Sequence, residues 1–184
     1  VGVAANTGFQ APSFNDLYAP GWGGMPPQSN PDLKPEKSRN IEAHIQYRQH
    51  GVELGLVAYQ NKVDNLIVST PRRLENVDSA TLRGITATAA YQWNQTRLSA
   101  AADFLNPYDD STGERLIRRA RQTYRLNAEQ RIDRWTLGAE FLYVGQRYDN
   151  TFSQGRVHLG GYSLWNLTAR ATLTKNLSVQ VRWD

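Results

Sequence analysis

The sequence predicts an all-β chain, about nine long antiparallel strands that form part of a transmembrane β-barrel wall. Three observations lead there. Apolar and polar residues alternate strictly along successive segments, so each strand has one greasy face and one wet face. The segments run for roughly 8 to 15 residues, longer than the globular norm of about 5–6 and suited to a tilted bilayer-crossing strand of about 9–11. The connections alternate between short turns (49–51, 94–96, 131–134, 174–176) and long loops (8–37, 69–79, 106–117, 149–159). Short turns at one end and long loops at the other are the arrangement of an outer-membrane barrel.

Val1 to Thr7 reads as a strand end, followed by an irregular region from Gly8 to Lys37 punctuated by Pro12, Pro20, Pro26, Pro27, Pro31 and Pro35. Each proline removes a backbone donor and biases its predecessor away from helix. In Ser38–Tyr47, Ile41, Ala43, Ile45 and Tyr47 oppose Glu42, His44, Gln46 and Arg48. Across the turn, Val52, Leu54, Leu56 and Ala58 alternate with Glu53, Gly55 and Tyr59 on a strand running toward Val68. Next, Ile85, Ala87, Ala89, Tyr91 and Trp93 lead through Asn94-Gln95-Thr96 to Leu98, Ala100, Ala102 and Phe104, opposed by Arg97, Ser99 and Asp103. The segment from Ala120 to Glu129 has the weakest pattern, with Tyr124, Leu126 and Ala128 against five polar residues. A clear one follows: Trp135, Leu137, Ala139, Phe141 and Tyr143. In the last hairpin, Trp165, Leu167, Ala169, Ala171 and Leu173 face away from Arg170 and Thr172, and Leu177, Val179, Val181 and Trp183 away from Gln180 and Arg182. Aromatics gather at strand ends, Tyr47, Trp93, Trp135 and Trp183 near short turns and Phe104 and Tyr143 toward long loops, as two interfacial girdles would.

Composition agrees and narrows the class. No run of 18 apolar residues exists, which excludes a transmembrane helix. A mean hydropathy of −0.60 looks soluble, yet half-polar barrel strands give such a value too. The net charge of +4 is modest and the arginines fall singly or in pairs, so no nucleic-acid surface is indicated. With no cysteine, disulfides and thiolate metal sites are excluded. His44, His50 and His158 stand alone, without the paired spacing of a zinc site. No nucleophile elbow, phosphate loop or dinucleotide fingerprint is present, so no enzyme is expected; Glu42, Asp103 and Glu140 read as lumen-facing carboxylates. A soluble lipocalin-type barrel fits less well, because its core would be built largely of alanines. The chain opens and stops within strand-like text and reads as a piece of a larger barrel.

The phrase from Thr7 to Tyr18 (TGFQAPSFNDLY), followed by Asn30 to Ser38 (NPDLKPEKS), resembles the signature of TonB-dependent outer-membrane receptors. Val63–Ile67 and Asn76–Ile85 are similar to the same family. Leu116–Arg121, Tyr143–Asp149 and Gly160–Trp165 resemble its vitamin B12 (cobalamin) transporter branch. The resemblance implies a bacterial outer-membrane location and a barrel of 22 strands around an N-terminal plug. Residues 1–184 would supply the thirteenth to twenty-first strands, without plug, TonB-contacting box or the calcium-binding loops of earlier strands. The implied partners are cobalamin or another metal-chelate ligand, TonB through the N-terminal part, and outer-membrane lipid with lipopolysaccharide; no resident cofactor is implied.

Four residues stand out as ligand contacts on this resemblance. Arg118 and Arg119 start a strand below a long loop and would hydrogen-bond the amide and phosphate periphery of a corrinoid. The alternative is a solvated rim charge or a lipopolysaccharide contact. Tyr148 and Phe152 lie in or beside the following loop and would pack on the ligand, or serve as ordinary rim aromatics. Asp109 to Glu114 lacks the alternating oxygens of a calcium loop and reads as a turn.

Overall fold

Nine of the strands form one antiparallel sheet, a meander in which successive strands pair. The computed structural model describes residues 1–21, 26–70, 72–151 and 153–184. The sheet strands are β1 (Gly2–Gln10), β2 (Glu36–Gln49), β3 (Val52–Ser69), β4 (Leu74–Trp93), β5 (Thr96–Asp109), β6 (Gln122–Ile132), β7 (Trp135–Val144), β10 (Tyr162–Thr174) and β11 (Leu177–Trp183). Between β7 and β10, β8 (Arg147–Thr151) and β9 (Gly155–Leu159) pair as a separate two-stranded hairpin. The sheet is open, with β1 and β11 at its edges.

Tight turns close one end. His50 (φ 49°) and Gly51 (φ 78°) are both left-handed, the geometry that matches the twist of a two-residue hairpin. Asn94 and Asp133 take positive φ at the same end, where their short polar side chains tolerate it. At the other end, the sequence expectation of long loops needs correction in four places. β1 continues to Gln10, and Phe14–Tyr18 forms a short helix, α1. Its start is a capping box: Ser13 Oγ accepts from the Asp16 amide (3.2 Å) and Asp16 accepts from the Ser13 amide in return (2.8 Å). Residues 74–79 are strand rather than loop, because Leu74–Val77 pair with Ser69–Leu66 and lengthen the β3–β4 hairpin. β5 extends to Asp109 by pairing Asn106–Asp109 with Arg83–Ala80. The 149–159 loop is largely the β8–β9 hairpin.

The two faces of the sheet separate cleanly. Register places Leu54, Ala89, Ala100, Leu126, Phe141 and Trp165 in one row across six strands. One residue along, the facing row is polar, with Asn127 donating to Ser99 Oγ (3.3 Å). The buried apolar residues, Leu33, Val63, Ala80, Leu116 and Ala171, are few, while Leu126, Leu137, Leu167, Val179 and Trp183 lie open to the surroundings. A soluble domain rarely leaves so large a contiguous apolar surface uncovered; a barrel wall in lipid requires it. Leu137, Leu167 and Val179 are exposed and meet in no dry centre, and a barrel wall in lipid turns such an apolar face outward.

Gly84 shows how tightly the wet face is built. A Cβ there would collide with the Tyr59 ring, so the phenol of β3 lies on the bare backbone of β4 directly opposite.

Candidate ligand-binding mouth

The long-loop end is cross-braced by side chains that hold neighbouring connections together. Asn76 on β4 accepts from the Lys34 amide (2.8 Å) and donates to the carbonyls of Lys34 (3.0 Å) and Asn65 (2.6 Å). Buried Asn30 donates to Leu74 O (2.9 Å) and accepts from the Asp32 amide (3.0 Å). These bonds fold the 26–35 segment onto the β3–β4 hairpin. Further round, Asp110 accepts from Ser79 Oγ (3.1 Å) and Thr81 Oγ1 (2.8 Å). Asn150 Nδ2 donates to Ser69 O (3.3 Å), tying β8 to the tip of β3.

Of the sequence-predicted site residues, Arg118, Arg119 and Tyr148 sit where the 110–121 connection meets the β8–β9 hairpin. Arg118 and Arg119 do not open a strand as expected, since β6 begins at Gln122. Arg118 instead has φ 58°, and its amide donates to Tyr148 O (2.7 Å). Its Nε donates to Asp149 Oδ1 (2.8 Å). Arg119 is exposed and forms no ion pair among the described residues. Tyr148 is half-buried: the Arg156 guanidinium lies 4.5 Å from its ring centroid, and His158 meets the ring edge-on at 5.5 Å. Arg156 is fixed by Glu114 Oε2 (2.8 Å) and Arg115 O (2.6 Å). Phe152 lies outside the described residues.

Arg115, Arg119, Arg121, Arg147, Tyr148 and His158 therefore line one small cleft. Its floor includes Pro107 and Leu116, both buried. The cleft itself has room for little more than one water, so an anionic or amide-rich ligand would meet these guanidiniums across its rim, through charge-assisted hydrogen bonds. Sequence reasoning missed Arg115, Arg121, Arg147, Arg156 and His158. The alternation of Arg147, Asp149 and Thr151 with Tyr148 and Asn150, ahead of Gln154-Gly155, was the available sign of a hairpin that would carry them there.

The Asp149 carboxyl is held below its usual range, chiefly by the hydrogen bond from Arg118, with burial opposing it. A depressed folded-state value means the contact contributes above the ordinary carboxylate range near pH ~4 and is lost as pH falls through the lower folded value. Protection factors of the β8–β9 amides, taken relative to intrinsic exchange at each pH, should accordingly fall on acidification below that range. Asp149→Asn should be loose at every pH and show no such acid step. An unchanged acid step in the variant would remove Asp149 from the account.

On the wet face below the mouth, Asp103 accepts from Thr86 Oγ1 (2.8 Å) and Arg125 Nη1 (3.0 Å). Asn166 donates to Glu140 Oε2 (3.2 Å). These carboxylates are joined to neighbouring strands.

A greasy outer face, a polar inner face and a braced arginine-lined mouth define the wall of an outer-membrane receptor barrel. Residues 3–184 match the family described as "TonB dependent receptor-like, beta-barrel", and the chain belongs to it. It is similar to the vitamin B12 transporter BtuB of Photobacterium profundum, 32% identical over 191 residues covering 99% of this chain and 30% of that protein. BtuB of Vibrio vulnificus is likewise 32% identical, over 98% of this chain and 29% of that protein. The chain thus spans about three-tenths of the length of these curated relatives. Among solved structures, the copper transporter OprC superposes with a TM-score of 0.76 at 17% identity, over 98% of this chain and 30% of its own. The ferric enterobactin receptor PfeA of Pseudomonas aeruginosa gives 0.75 at 21%, over 97% and 31%. Both likenesses speak to fold alone. The family and its relatives are transporters and receptors of the bacterial outer membrane, not enzymes.

Proposed function

We propose that this segment is barrel wall and outer mouth of a TonB-dependent receptor for cobalamin. The observation that supports the reading most is the 32% identity to two BtuB proteins across nearly the whole chain. The mouth chemistry is compatible with it: a corrinoid periphery carries amides and a phosphate, which suit free guanidinium donors beside an aromatic ring. In this reading Arg119, Tyr148 and Phe152 contact the ligand, and Arg118 chiefly positions Tyr148 by holding its carbonyl and Asp149. TonB acts through the N-terminal part of the receptor, and the wall does no chemistry on the cargo. A second reading keeps the fold and replaces cobalamin with a ferric siderophore or haem; the cluster of arginines at the mouth favours it.

Titration of the intact receptor with cyanocobalamin and with a ferric catecholate siderophore separates the two. Saturable cyanocobalamin binding, weakened about tenfold by Arg119→Ala through loss of a charge-assisted bond, is the expected result. Binding of the siderophore alone would overturn it.

A further inference from the structure

The mouth holds its arginines in two different ways. Arg115, Arg119, Arg121 and Arg147 line the small cleft beside Tyr148 and form no ion pair among the described residues. Arg118 and Arg156 are each paired to a carboxylate, at 2.8 Å in both cases, and neither lines the cleft. The two pairs run in opposite directions between the same two segments. Arg118 of the 110–121 connection meets Asp149 of β8, and Glu114 of that connection meets Arg156 of β9, so each segment gives one cation and one anion. The neighbouring acids are committed elsewhere. Asp109 accepts from Ser111 and Thr112 within its own turn, and Asp110 accepts from Ser79 and Thr81.

Tyr148 lies between the two pairs. Its carbonyl accepts from the Arg118 amide at 2.7 Å, which fixes the backbone. Its ring is met by the Arg156 guanidinium, 4.5 Å from the centroid. Register explains the meeting: Tyr148 stands opposite His158 and Asn150 opposite Arg156, so Tyr148 and Arg156 are diagonal neighbours on one face of the hairpin. An arginine held only by its own flexible stem would sample many positions over that ring. Arg156 has two further acceptors, Glu114 Oε2 at 2.8 Å and Arg115 O at 2.6 Å, which aim the planar group. A lone exposed ion pair adds little stability, and the Glu114 side chain is 64% exposed. What this pair sets is orientation.

We propose that Glu114 and Arg156 are positioning residues that set the Tyr148 ring beside the cleft, while the unpaired arginines meet the ligand. Their effect on binding rests on the reading of Tyr148 as a ligand contact; their effect on the ring does not.

The test uses the intact receptor in detergent. With 3-fluorotyrosine at position 148 and no ligand present, Arg156→Met and Glu114→Ala should each shift the fluorine resonance toward that of free fluorotyrosine. Lys175→Gln, at the opposite end of the wall, should leave it in place. Cyanocobalamin titration then follows a double-mutant cycle. Arg156→Met should weaken binding about three- to tenfold in the wild-type background, the scale of one cation–π contact, and by less than about twofold once Tyr148→Ala is present. Glu114→Ala should also weaken it, although removing a carboxylate from a cationic mouth would on charge alone favour a phosphate-bearing ligand. If either variant leaves the resonance unmoved, the proposal is overturned. So it is if Glu114→Ala tightens binding, or if Arg156→Met costs nothing or costs the same in both backgrounds, the last making Arg156 a direct ligand contact. A receptor that binds no cyanocobalamin would instead overturn the cobalamin reading, and the ligand-free resonance would still decide the role of Glu114 and Arg156.

Discussion

Leu126→Arg lowers the unfolding free energy of the receptor in lipid vesicles by about 2–4 kcal/mol, the cost of an arginine on the lipid face near the bilayer centre. Asn127→Arg, one residue along the same strand, changes it by less than about 1 kcal/mol, as exposed polar substitutions do. The difference arises from the two-residue period of a strand. Leu126 stands in the row with Leu54, Ala89, Ala100, Phe141 and Trp165, whose surroundings are hydrocarbon. Asn127 faces Ser99 and water. Urea titration of the folded receptor, read as loss of its heat-resistant electrophoretic mobility, gives both numbers. Comparable costs for the two variants, or a reversed order, would falsify the assignment of the faces.

Asn76→Ala releases the 26–35 segment from the β3–β4 hairpin. The side chain serves three backbone groups at once, two of Lys34 and one of Asn65. Each net hydrogen bond contributes about 0.5–1.5 kcal/mol, and because these sites are only partly buried the combined loss should be about 1–3 kcal/mol, felt locally. Trypsin cleavage at Lys34 (where Pro35 slows it) is a poor reporter, so amide exchange of Asn30 and Leu33 is the measurement. Both should lose protection about tenfold or more on that energy scale, while β6–β7 amides stay unchanged. Asn76→Asp separates the contributions: its carboxylate still accepts from the Lys34 amide but cannot donate to either carbonyl, and it should fall between wild type and alanine. Full protection in the alanine variant would show that Asn30, not Asn76, holds the segment.

The nine sheet strands and their faces were legible because alternation is a local property. Leu177, Val179, Val181 and Trp183 declare a face without reference to any partner. The long-loop end was legible only in part. Glu75, Asn76 and Val77 carry no clear alternation, and they become strand because Val68, Ile67 and Leu66 stand opposite with free backbone groups. Ser13 and Asp16 spell a capping box, but the prolines around them masked a helix of five residues. At the mouth, Arg118, Arg119 and Tyr148 were picked out as individuals, and their division of labour depends on contacts between segments far apart in the chain. Arg118 is occupied because Asp149, 31 residues on, reaches it from the β8–β9 hairpin. Nothing near Arg118 in sequence signals that encounter.

The meander order of the sheet bears on how such a wall is made. Every sheet neighbour is also the adjacent strand in the chain, apart from the short β8–β9 excursion that lets β10 reach β7. No segment must thread past another, so the wall can grow one hairpin at a time along a single advancing border. Each newly laid strand then offers its unpaired amides and carbonyls as the template for the next arrival, and sheet closure comes last, without topological rearrangement.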